Sequence, residues 1–320
     1  MILTGHDEPW REWRAALVSE RMHHAWILAG TRGLGKGAFA RAAARELVDG
    51  RGGHHPESGA HPDILVLDHL PANDDEEKKR DEGKSFQTKR NITIDQIRRM
   101  QQRLVTRPTL GERRAVIIDP ADDLEKNAVN ALLKSLEEPP AGTFFLLVTH
   151  RPGRLLPTVR SRCRVLRFAP LASDAMDAIL RREAPQADAA ARQAAIAAAE
   201  GSPGAALAFV GQELAPLHAL MLRIAREGDA EFTLRGLLAG EVGARPDRER
   251  QLAALDLARA TLAEELAGAP RERQLRIIAA HGAITRLAAQ APTYNFDAGL
   301  LVMEIGGLLA SAALPREAIA

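Results

Sequence analysis

The sequence predicts an α/β domain with a parallel sheet, followed by a chain that is helical throughout. In the first half, short apolar runs alternate with helix-like segments, and after Pro170 the strand-like runs stop. The charge balance also changes near residue 168: residues 1–168 contain 28 basic and 23 acidic residues, whereas residues 169–320 contain 15 and 19. Because 320 residues exceed what one hydrophobic core usually organises, we expect two or three domains.

Composition excludes several classes of protein. Apolar residues make up 46% of the chain and charged residues 27%, which is typical of a globular protein. No run of apolar residues is long enough to span a membrane, and the charged N-terminus lacks the apolar core of a secretory signal. A single cysteine, Cys163, excludes an internal disulfide and a cysteine-rich zinc site. We therefore expect a soluble cytoplasmic protein.

Four short apolar runs are predicted to be strands. They do not alternate between apolar and polar residues, and helix-like segments separate them, which is typical of parallel strands covered on both faces. The four runs cover residues 24–29, 64–67, 115–118 and 143–149.

The segments between these strands have helical or loop patterns. Predicted helices cover residues 37–48, 92–105 and 122–138. Asp122 or Asp123 is placed to cap the third of these helices, and Pro139 ends it. Asn73 to Arg90 is a mixed-charge stretch with almost no apolar residues, and we predict a solvated surface loop there.

A glycine-rich loop follows the first predicted strand. Gly30 to Gly37 reads GTRGLGKG and matches the phosphate-binding pattern G-x-x-x-x-G-K-[ST] except at its last position. In this pattern backbone N–H groups surround phosphate oxygens, and Lys36 reaches the β and γ phosphates. The alternative is a glycine-rich turn with an incidental lysine. The strand before the loop and the helix after it favour a nucleotide site at Gly30, Gly33, Gly35, Lys36 and Gly37.

At two positions where hydrolysing enzymes have a functional side chain, this sequence lacks one. Gly37 stands where a Ser or Thr hydroxyl normally ligates Mg²⁺. Asp119 ends a predicted strand and is a candidate to hold Mg²⁺ through a water, but Pro120 follows where an acid normally orients the attacking water. Nucleotide binding at the loop and Asp119 is thus expected without well-placed Mg²⁺ for hydrolysis.

Six arginines lie between Arg151 and Arg167. Such a run is compatible with a nucleic-acid patch, with a solvated face, or with an arginine finger that stabilises a neighbour's γ-phosphate. The spacing alone does not choose among these interpretations.

The amino-acid sequences of two segments are more specific. LLKSLEEPP at 132–140 and LLPTVRSRCRVLRF at 155–168 resemble the delta-prime family of subunits in the bacterial DNA polymerase III clamp loader, within the AAA+ superfamily. HAWILAGTRGLGKGAFA at 24–40 and HPD at 61–63 support the same resemblance, which extends over about residues 20–210.

The resemblance implies roles for individual residues. Arg162, within the SRC segment 161–163, would be an arginine finger that acts in trans on the ATP site of a neighbouring subunit. Thr149 would take the sensor-1 position of the nucleotide site. Gly204 stands where hydrolysing subunits have the sensor-2 arginine, which is a third vacancy in this chain's own site.

The resemblance also implies a domain layout: an AAA+ nucleotide-fold domain over 1–168, a small helical lid over 169–212 and a C-terminal helical collar over 213–320. The implied function is that of a non-hydrolysing stator that helps to load the sliding clamp onto primed DNA, with gamma/tau and delta subunits as partners. ATP or ADP is the implied ligand of a weak site. The alternatives are an ATP-hydrolysing motor subunit of the same loader, or an unrelated AAA+ ATPase or DNA-binding regulator.

Other members of the resembled group carry a four-cysteine zinc module just before the HPD segment. Here that stretch has no cysteine, and its only candidate ligands are His54, His55 and His61. Because three surface histidines without thiolates seldom hold a metal, no zinc is expected.

Overall fold

The structure is a computed structural model. It describes residues 5–19, 21–49, 61–243, 246, 248–291 and 296–314. The chain forms two compact units, Met1–Pro170 and Leu171–Ala320. Their boundary lies close to the change in charge balance near residue 168.

The first unit is an α/β unit. Its helices and strands are, in chain order, α1 (Asp7–Leu17), β1 (Ala25–Ala29), α2 (Lys36–Asp49), β2 (Ile64–Leu67), α3 (Asp74–Asp81), α4 (Ile94–Leu104), β3 (Arg114–Ile118), α5 (Lys126–Glu137), β4 (Thr143–Thr149), α6 (Pro157–Arg160) and β5 (Arg164–Arg167).

These strands form one sheet in the order β2-β3-β4-β1-β5, and every neighbouring pair is parallel. The predicted parallel α/β sheet is confirmed, and all four predicted strands are present. The fifth strand, β5, was not predicted from its sequence. Only Leu166 in β5 is buried, so the strand lacks the apolar run that marks the others.

The two faces of the sheet bury separate clusters because successive strand residues point to opposite sides. On one face Ile27 of β1 belongs to a cluster that contains Ile97 of α4 and Leu132 of α5. On the other face Trp26 belongs to a cluster that contains Trp13 of α1. Helices on both faces explain why the strands read as continuous apolar runs.

The stretch predicted as a surface loop contains a helix. Within Asn73–Arg90, α3 is exposed and has almost no apolar face, so its hydrophobic pattern gives no signal. Polar contacts hold it instead: the Asn73 side chain accepts from the N–H of Glu76, and the Glu76 carboxylate accepts from the N–H of Gln87 and from Lys79. Helix α3 is therefore a correction to the predicted loop.

Asp63 and Arg114 fix the loop between α4 and β3. Both side chains are buried, and their closest charged atoms lie 3.6 Å apart. The Asp63 carboxylate accepts from the N–H groups of Thr109 and Leu110 at 2.6 and 2.8 Å. The Arg114 guanidinium donates to three carbonyl groups of the same region, those of Arg103, Thr106 and Arg107. The aspartate of the HPD segment is thus a structural residue.

The second unit is helical, as predicted. Its helices are α7 (Ser173–Glu183), α8 (Ala189–Ala198), α9 (Pro203–Gly211), α10 (Ala215–Glu227), α11 (Thr233–Val242), α12 (Arg248–Leu266), α13 (Arg271–Gln290) and α14 (Ala298–Ala310). One hydrophobic cluster includes residues from α7 through α14, for example Met176, Met221, Ile284 and Leu309. Residues of the predicted lid and collar thus contribute to one core, and a division between them at residue 212 stays a prediction.

No single helix in the described ranges is long and apolar enough to cross a membrane. The bent pair of Pro203–Gly211 and Ala215–Glu227 meets the length and composition limits only when both helices are taken together.

Candidate functional site

Three neighbouring strands of the first unit end at one edge of the sheet. Gly30 follows the last residue of β1, Asp119 follows the last residue of β3, and Thr149 is the last residue of β4. Ala29 is in register with Thr149, and the N–H of Gly30 donates to the Thr149 carbonyl at 3.4 Å. Ligands of open parallel sheets bind outside the carboxyl ends of the strands, so this edge is the candidate site.

The glycine-rich loop needs its glycines. Gly33 and Gly35 have φ angles of 83° and 80°, a left-handed conformation that favours glycine. A Cβ atom at Gly30 would lie 2.6 Å from the carbonyl oxygen of Phe168, so no side chain fits there. The ring of His6 also contacts the loop, with Nε2 2.6 Å from the carbonyl oxygen of Leu34. The sequence pattern thus corresponds to a defined loop that leads directly into α2.

Lys36 is the first residue of α2 and is buried, with 2% of its surface exposed. Its Nζ donates to the carbonyl oxygen of Thr31 at 2.6 Å, so the ammonium group is folded back onto the loop. Burial lowers the pKa of Lys36 to about 8, although the carboxylates of Asp119 and Asp122 act in the opposite direction. A phosphate group at this loop would have to take the place of the Thr31 carbonyl.

The groups beside the loop do not form a ligand set for a magnesium ion. Gly37 offers no hydroxyl, and a Cβ atom at Gly37 would collide with Oδ2 of Asp119. The same oxygen lies 3.6 Å from Nη1 of Arg41, which is one helical turn after Gly37. Burial raises the pKa of Asp119, and the Arg41 and Lys36 cations oppose that rise. With a guanidinium already beside the carboxylate and no hydroxyl ligand, these residues do not fit a magnesium ion.

Thr149 is engaged by a carboxylate. Its Oγ1 donates to Oδ1 of Asp122 at 2.6 Å, and the N–H groups of His150 and Arg151 donate to the same carboxylate. Asp122 thus fixes the end of β4 and does not cap α5. The predicted cap was wrong: a short 3₁₀ helix covers Ala121–Asp123, and α5 begins only at Lys126 with no side-chain cap.

His150, the residue after β4, has a buried ring nitrogen. Within the described part of the chain, its Nδ1 has no hydrogen-bond partner. Burial lowers the pKa of His150 to about 4, and the next contribution comes from the Lys36 cation. The ring is therefore neutral near pH 7, so the positive charge of this site comes from lysine and arginine side chains.

Arg162 lies at the opposite edge of the sheet. Arg164, the first residue of β5, is in register with Trp26, which is the second residue of β1. Arg162 therefore lies beyond the amino ends of these strands, whereas the phosphate loop follows the carboxyl end of β1. Five residues of strand separate the two edges by about 16 Å. The Arg162 guanidinium contacts Glu137 of α5 at 2.7 Å and the Thr158 carbonyl at 2.8 Å.

A comparison with known protein families identifies the family of this chain. A family model described as "DNA polymerase III, delta subunit" matches residues 5–172, which is more than half of the chain. The chain belongs to this family. The resemblance inferred from the LEEPP and SRC segments is thereby confirmed.

Individual members of the delta family and related subunits are similar to this chain. The DNA polymerase III subunit delta' of Pseudomonas aeruginosa is 36% identical over 217 residues, which cover 62% of this chain and 61% of the relative. The subunit delta' of Escherichia coli is 34% identical over 206 residues, covering 61% and 57%. The gamma/tau subunit of Mycobacterium tuberculosis is 31% identical over 205 residues, covering 62% and 34%. The chain thus matches less than two thirds of each relative.

A solved structure has the same fold over nearly the whole chain. A gamma subunit-related protein of DNA polymerase III from Thermotoga maritima superimposes with a TM-score of 0.54 and 20% identity, covering 95% of this chain and 99% of that protein. This similarity confirms the predicted fold class, an α/β unit with a parallel sheet followed by a helical region.

The structure brings most of the predicted site residues of this delta-family chain to one edge: Gly30, Gly33, Gly35, Lys36, Gly37, Asp119 and Thr149. Their role in nucleotide binding stays a prediction, as does the role of Arg162. Sequence reasoning missed Arg41, His150 and the use of Asp122. Arg41 had a signal, since a residue four positions after Gly37 lies on the same face of α2. No sequence spacing predicts the place of His150 or the contacts of Asp122.

The candidate zinc ligands do not form a described site. His54 and His55 lie outside the described residues, and Nδ1 of His61 accepts from the N–H of Asp63 at 3.1 Å. Among the described residues, no group of three or more histidine, cysteine and acidic side chains is arranged to hold a metal ion.

Proposed function

We propose that this chain is a delta-prime-type subunit of a DNA polymerase III clamp loader, that it does not hydrolyse ATP, and that Arg162 acts in trans on the ATP site of a neighbouring subunit. One observation carries the proposal. Arg162 lies at the amino edge of the sheet and the phosphate loop at the carboxyl edge. An arginine in that position is out of reach of its own loop and available to a neighbour.

The chain's own site supports the absence of hydrolysis. Gly37 lacks the hydroxyl that would ligate Mg²⁺, and Arg41 occupies the side of Asp119 that would face the ion. Pro120 has no group to orient an attacking water. Gly204 has no side chain to act as a sensor. The three vacancies at Gly37, Pro120 and Gly204 together support the proposal that this site does not hydrolyse ATP.

The cofactor proposed for the phosphate loop is ATP or ADP bound without Mg²⁺. Glycine N–H groups and Lys36 would hold the phosphates, with Lys36 leaving the Thr31 carbonyl to do so. Arg41 would supply part of the positive charge that Mg²⁺ supplies elsewhere. The bound nucleotide would be a structural ligand, because no group is in place to activate water.

The partners proposed are the gamma/tau and delta subunits, the sliding clamp, and primed DNA contacted through the complex. Relatives of this chain include subunits named delta', gamma/tau and tau, which supports membership of one multi-subunit assembly. The helices over 213–320 would join the subunits into a ring, and the assembly would work in the cytoplasm.

The test is a reconstituted loader that contains the chain and the gamma/tau and delta subunits of the same organism. Arg162→Ala should lower the DNA-stimulated ATPase of the motor subunits by about 10³-fold, in the range known for arginine fingers, while the complex still assembles. Arg160→Ala is the matched control, because Arg160 is exposed two residues away. Full ATPase activity with Arg162→Ala would contradict the proposed role in trans.

A second candidate, an ATP-hydrolysing motor subunit, is favoured by the intact Lys36 and Asp119. The purified chain alone distinguishes it. Turnover of ATP with Mg²⁺ that disappears in Lys36→Ala would identify a motor subunit. The expected result is no turnover in either protein.

A further inference from the structure

The LEEPP segment contacts the SRC segment through one ion pair. Glu137 is the first glutamate of LEEPP and the last residue of α5, and its Oε1 lies 2.7 Å from Nη2 of Arg162. The two residues are 25 positions apart in the chain but lie together at the amino edge of the sheet. The proposed function gives Arg162 a role but leaves Glu137 without one.

The sequence around Glu137 holds it in place. Glu138 follows, and then Pro139 and Pro140. The residue before a proline is disfavoured in the helical conformation, so α5 ends at Glu137. The preceding Leu136 is buried in the core, and its carbonyl oxygen lies 2.9 Å from Nε2 of His24. Glu137 is therefore an exposed side chain on a firmly attached backbone.

Arg162 is held from two directions. Nη2 faces Glu137, and Nη1 donates to the carbonyl oxygen of Thr158 in α6. Nη1 also donates to the Ser161 hydroxyl oxygen at 3.4 Å. A guanidinium has five N–H groups in a fixed plane, so these three contacts leave two N–H groups for a phosphate oxygen. An unrestrained surface arginine samples many rotamers, and that freedom is lost when it docks on a ligand. The contacts within this chain already restrict the Arg162 side chain, so less conformational freedom is lost when it binds a phosphate.

We infer that Glu137 is a positioning residue for Arg162, holding its guanidinium in the orientation that a neighbouring subunit's polyphosphate receives. The inference rests on the proposed function of Arg162. The ligand is the γ-phosphate of a nucleotide bound by the partner, and Glu137 does not touch it. This inference gives the LEEPP segment a physical role. Its first glutamate supplies the carboxylate oxygen that contacts Arg162, and its prolines help to fix where that glutamate lies.

The opposite role, a restraint that withholds Arg162, has less support. Glu137 is 49% exposed and Arg162 35% exposed, so water screens the attraction between the two charges. Because the attraction is screened, Glu137 orients the guanidinium and still leaves its positive charge available to a phosphate.

The first experiment uses the reconstituted loader and the steady-state ATPase of the motor subunits. Glu137→Ala should lower kcat by about 10-fold with little change in KM for ATP, because misplacing a group weakens the transition state. Glu137→Gln retains an oxygen acceptor and should recover most of the activity. Glu138→Gln is the matched control, because Glu138 is the adjacent exposed glutamate in the same segment.

The second experiment needs no partner and no activity. The order parameter of the Arg162 Nε–H group, measured by NMR on the full chain, should be high and should fall below about 0.6 in Glu137→Ala. The same variant should leave thermal unfolding unchanged, since an exposed ion pair contributes little to stability.

The outcomes separate this inference from the proposed function. Loss of ATPase in Arg162→Ala with full activity in Glu137→Ala overturns the positioning role alone. A rise of ATPase in Glu137→Ala also overturns it and identifies a restraint. Unchanged order of the Arg162 side chain in Glu137→Ala overturns it without reference to activity. Full ATPase activity in Arg162→Ala overturns the proposed function of Arg162, and the positioning role of Glu137 falls with it.

Discussion

Lys36 is held as a cation in a place that disfavours charge. The side chain is 2% exposed, and burial lowers its pKa to about 8 from an ordinary value near 10.5. The folded state therefore releases this proton more readily than the unfolded state does. Since stability rises with pH wherever the unfolded state binds more protons, Lys36 destabilises the fold below pH 8, and this effect fades as pH rises toward 10. A buried cation kept at such a cost is what an anion site requires.

Replacing Lys36 with Met tests this reasoning. Lys36→Met should raise the free energy of unfolding of the first unit at pH 7 by on the order of 3 kcal/mol, because the shifted ammonium is removed and the chain length is kept. The gain should shrink between about pH 8 and pH 10.5, where the folded chain has released the Lys36 proton and the unfolded chain still holds it. Urea unfolding followed by tryptophan fluorescence measures both values. A constant difference between the two proteins over this pH range would contradict the lowered pKa.

At the residue scale, spacing predicts only the residues whose partners are near in sequence. Gly30 to Lys36 form one local pattern, and the structure places them at a strand end as expected. Asp122 is 27 residues from Thr149, and Glu137 is 25 residues from Arg162. Such contacts arise from the order of the strands in the sheet, so the chain's local pattern does not contain them.

At the scale of helices and strands, the local sequence pattern again predicts some elements and misses others. β3 and β4 are buried on both faces and were predicted from apolar runs. β5 is an edge strand whose arginines face outward, and Arg164 pairs with Glu12 at 2.9 Å while its guanidinium lies over Trp26. Helix α3 depends on a cap and on neighbouring charges. The apolar runs thus predicted β3 and β4, whereas β5 and α3, which depend on polar contacts, were missed.

The loop between α4 and β3 gives a prediction at this scale. Asp63→Asn should lower the free energy of unfolding by about 3–5 kcal/mol, because it leaves the buried Arg114 guanidinium without its counter-charge. Asp95→Asn is the control: its partner Arg98 is exposed, and the expected change is under about 1 kcal/mol. Denaturant unfolding at pH 7 measures both variants. Equal effects would show that the buried pair is not important for stability.

The same aspartate should make the fold sensitive to acid. Burial alone would raise the pKa of Asp63, but the N–H groups of Leu110 and Thr109, together with Arg114, outweigh it and the pKa is lowered. Its contribution to stability is therefore complete above about pH 4 and is lost as pH falls through the lowered pKa. The stability difference between the native chain and Asp63→Asn should decrease on acidification over that range.

At the scale of the whole molecule, the chain is two compact units: the first has a hydrophobic cluster on each face of its sheet, and the second has one cluster of its own. The tryptophans are distributed unevenly between them: Trp10, Trp13 and Trp26 all belong to the first unit, and residues 171–320 contain none. The second unit is built of helices alone and contributes strongly to far-ultraviolet circular dichroism. Tryptophan fluorescence thus reports on the first unit, while circular dichroism reports on both.

Separate cores predict separate unfolding transitions, and two core substitutions test this. Ile117 in β3 and Ile284 in α13 are both fully buried, so replacing either with Ala should cost about 2–5 kcal/mol. Ile117→Ala should move the fluorescence transition to lower urea, and Ile284→Ala should move only part of the dichroism transition. Because the clusters of the two units share no residues, Ile284→Ala should leave the fluorescence transition unchanged, and Ile117→Ala should leave the second unit's part of the dichroism transition unchanged. Identical shifts of both signals in both variants would instead require one cooperative unit of 320 residues, and the prediction that the two units unfold separately would be wrong.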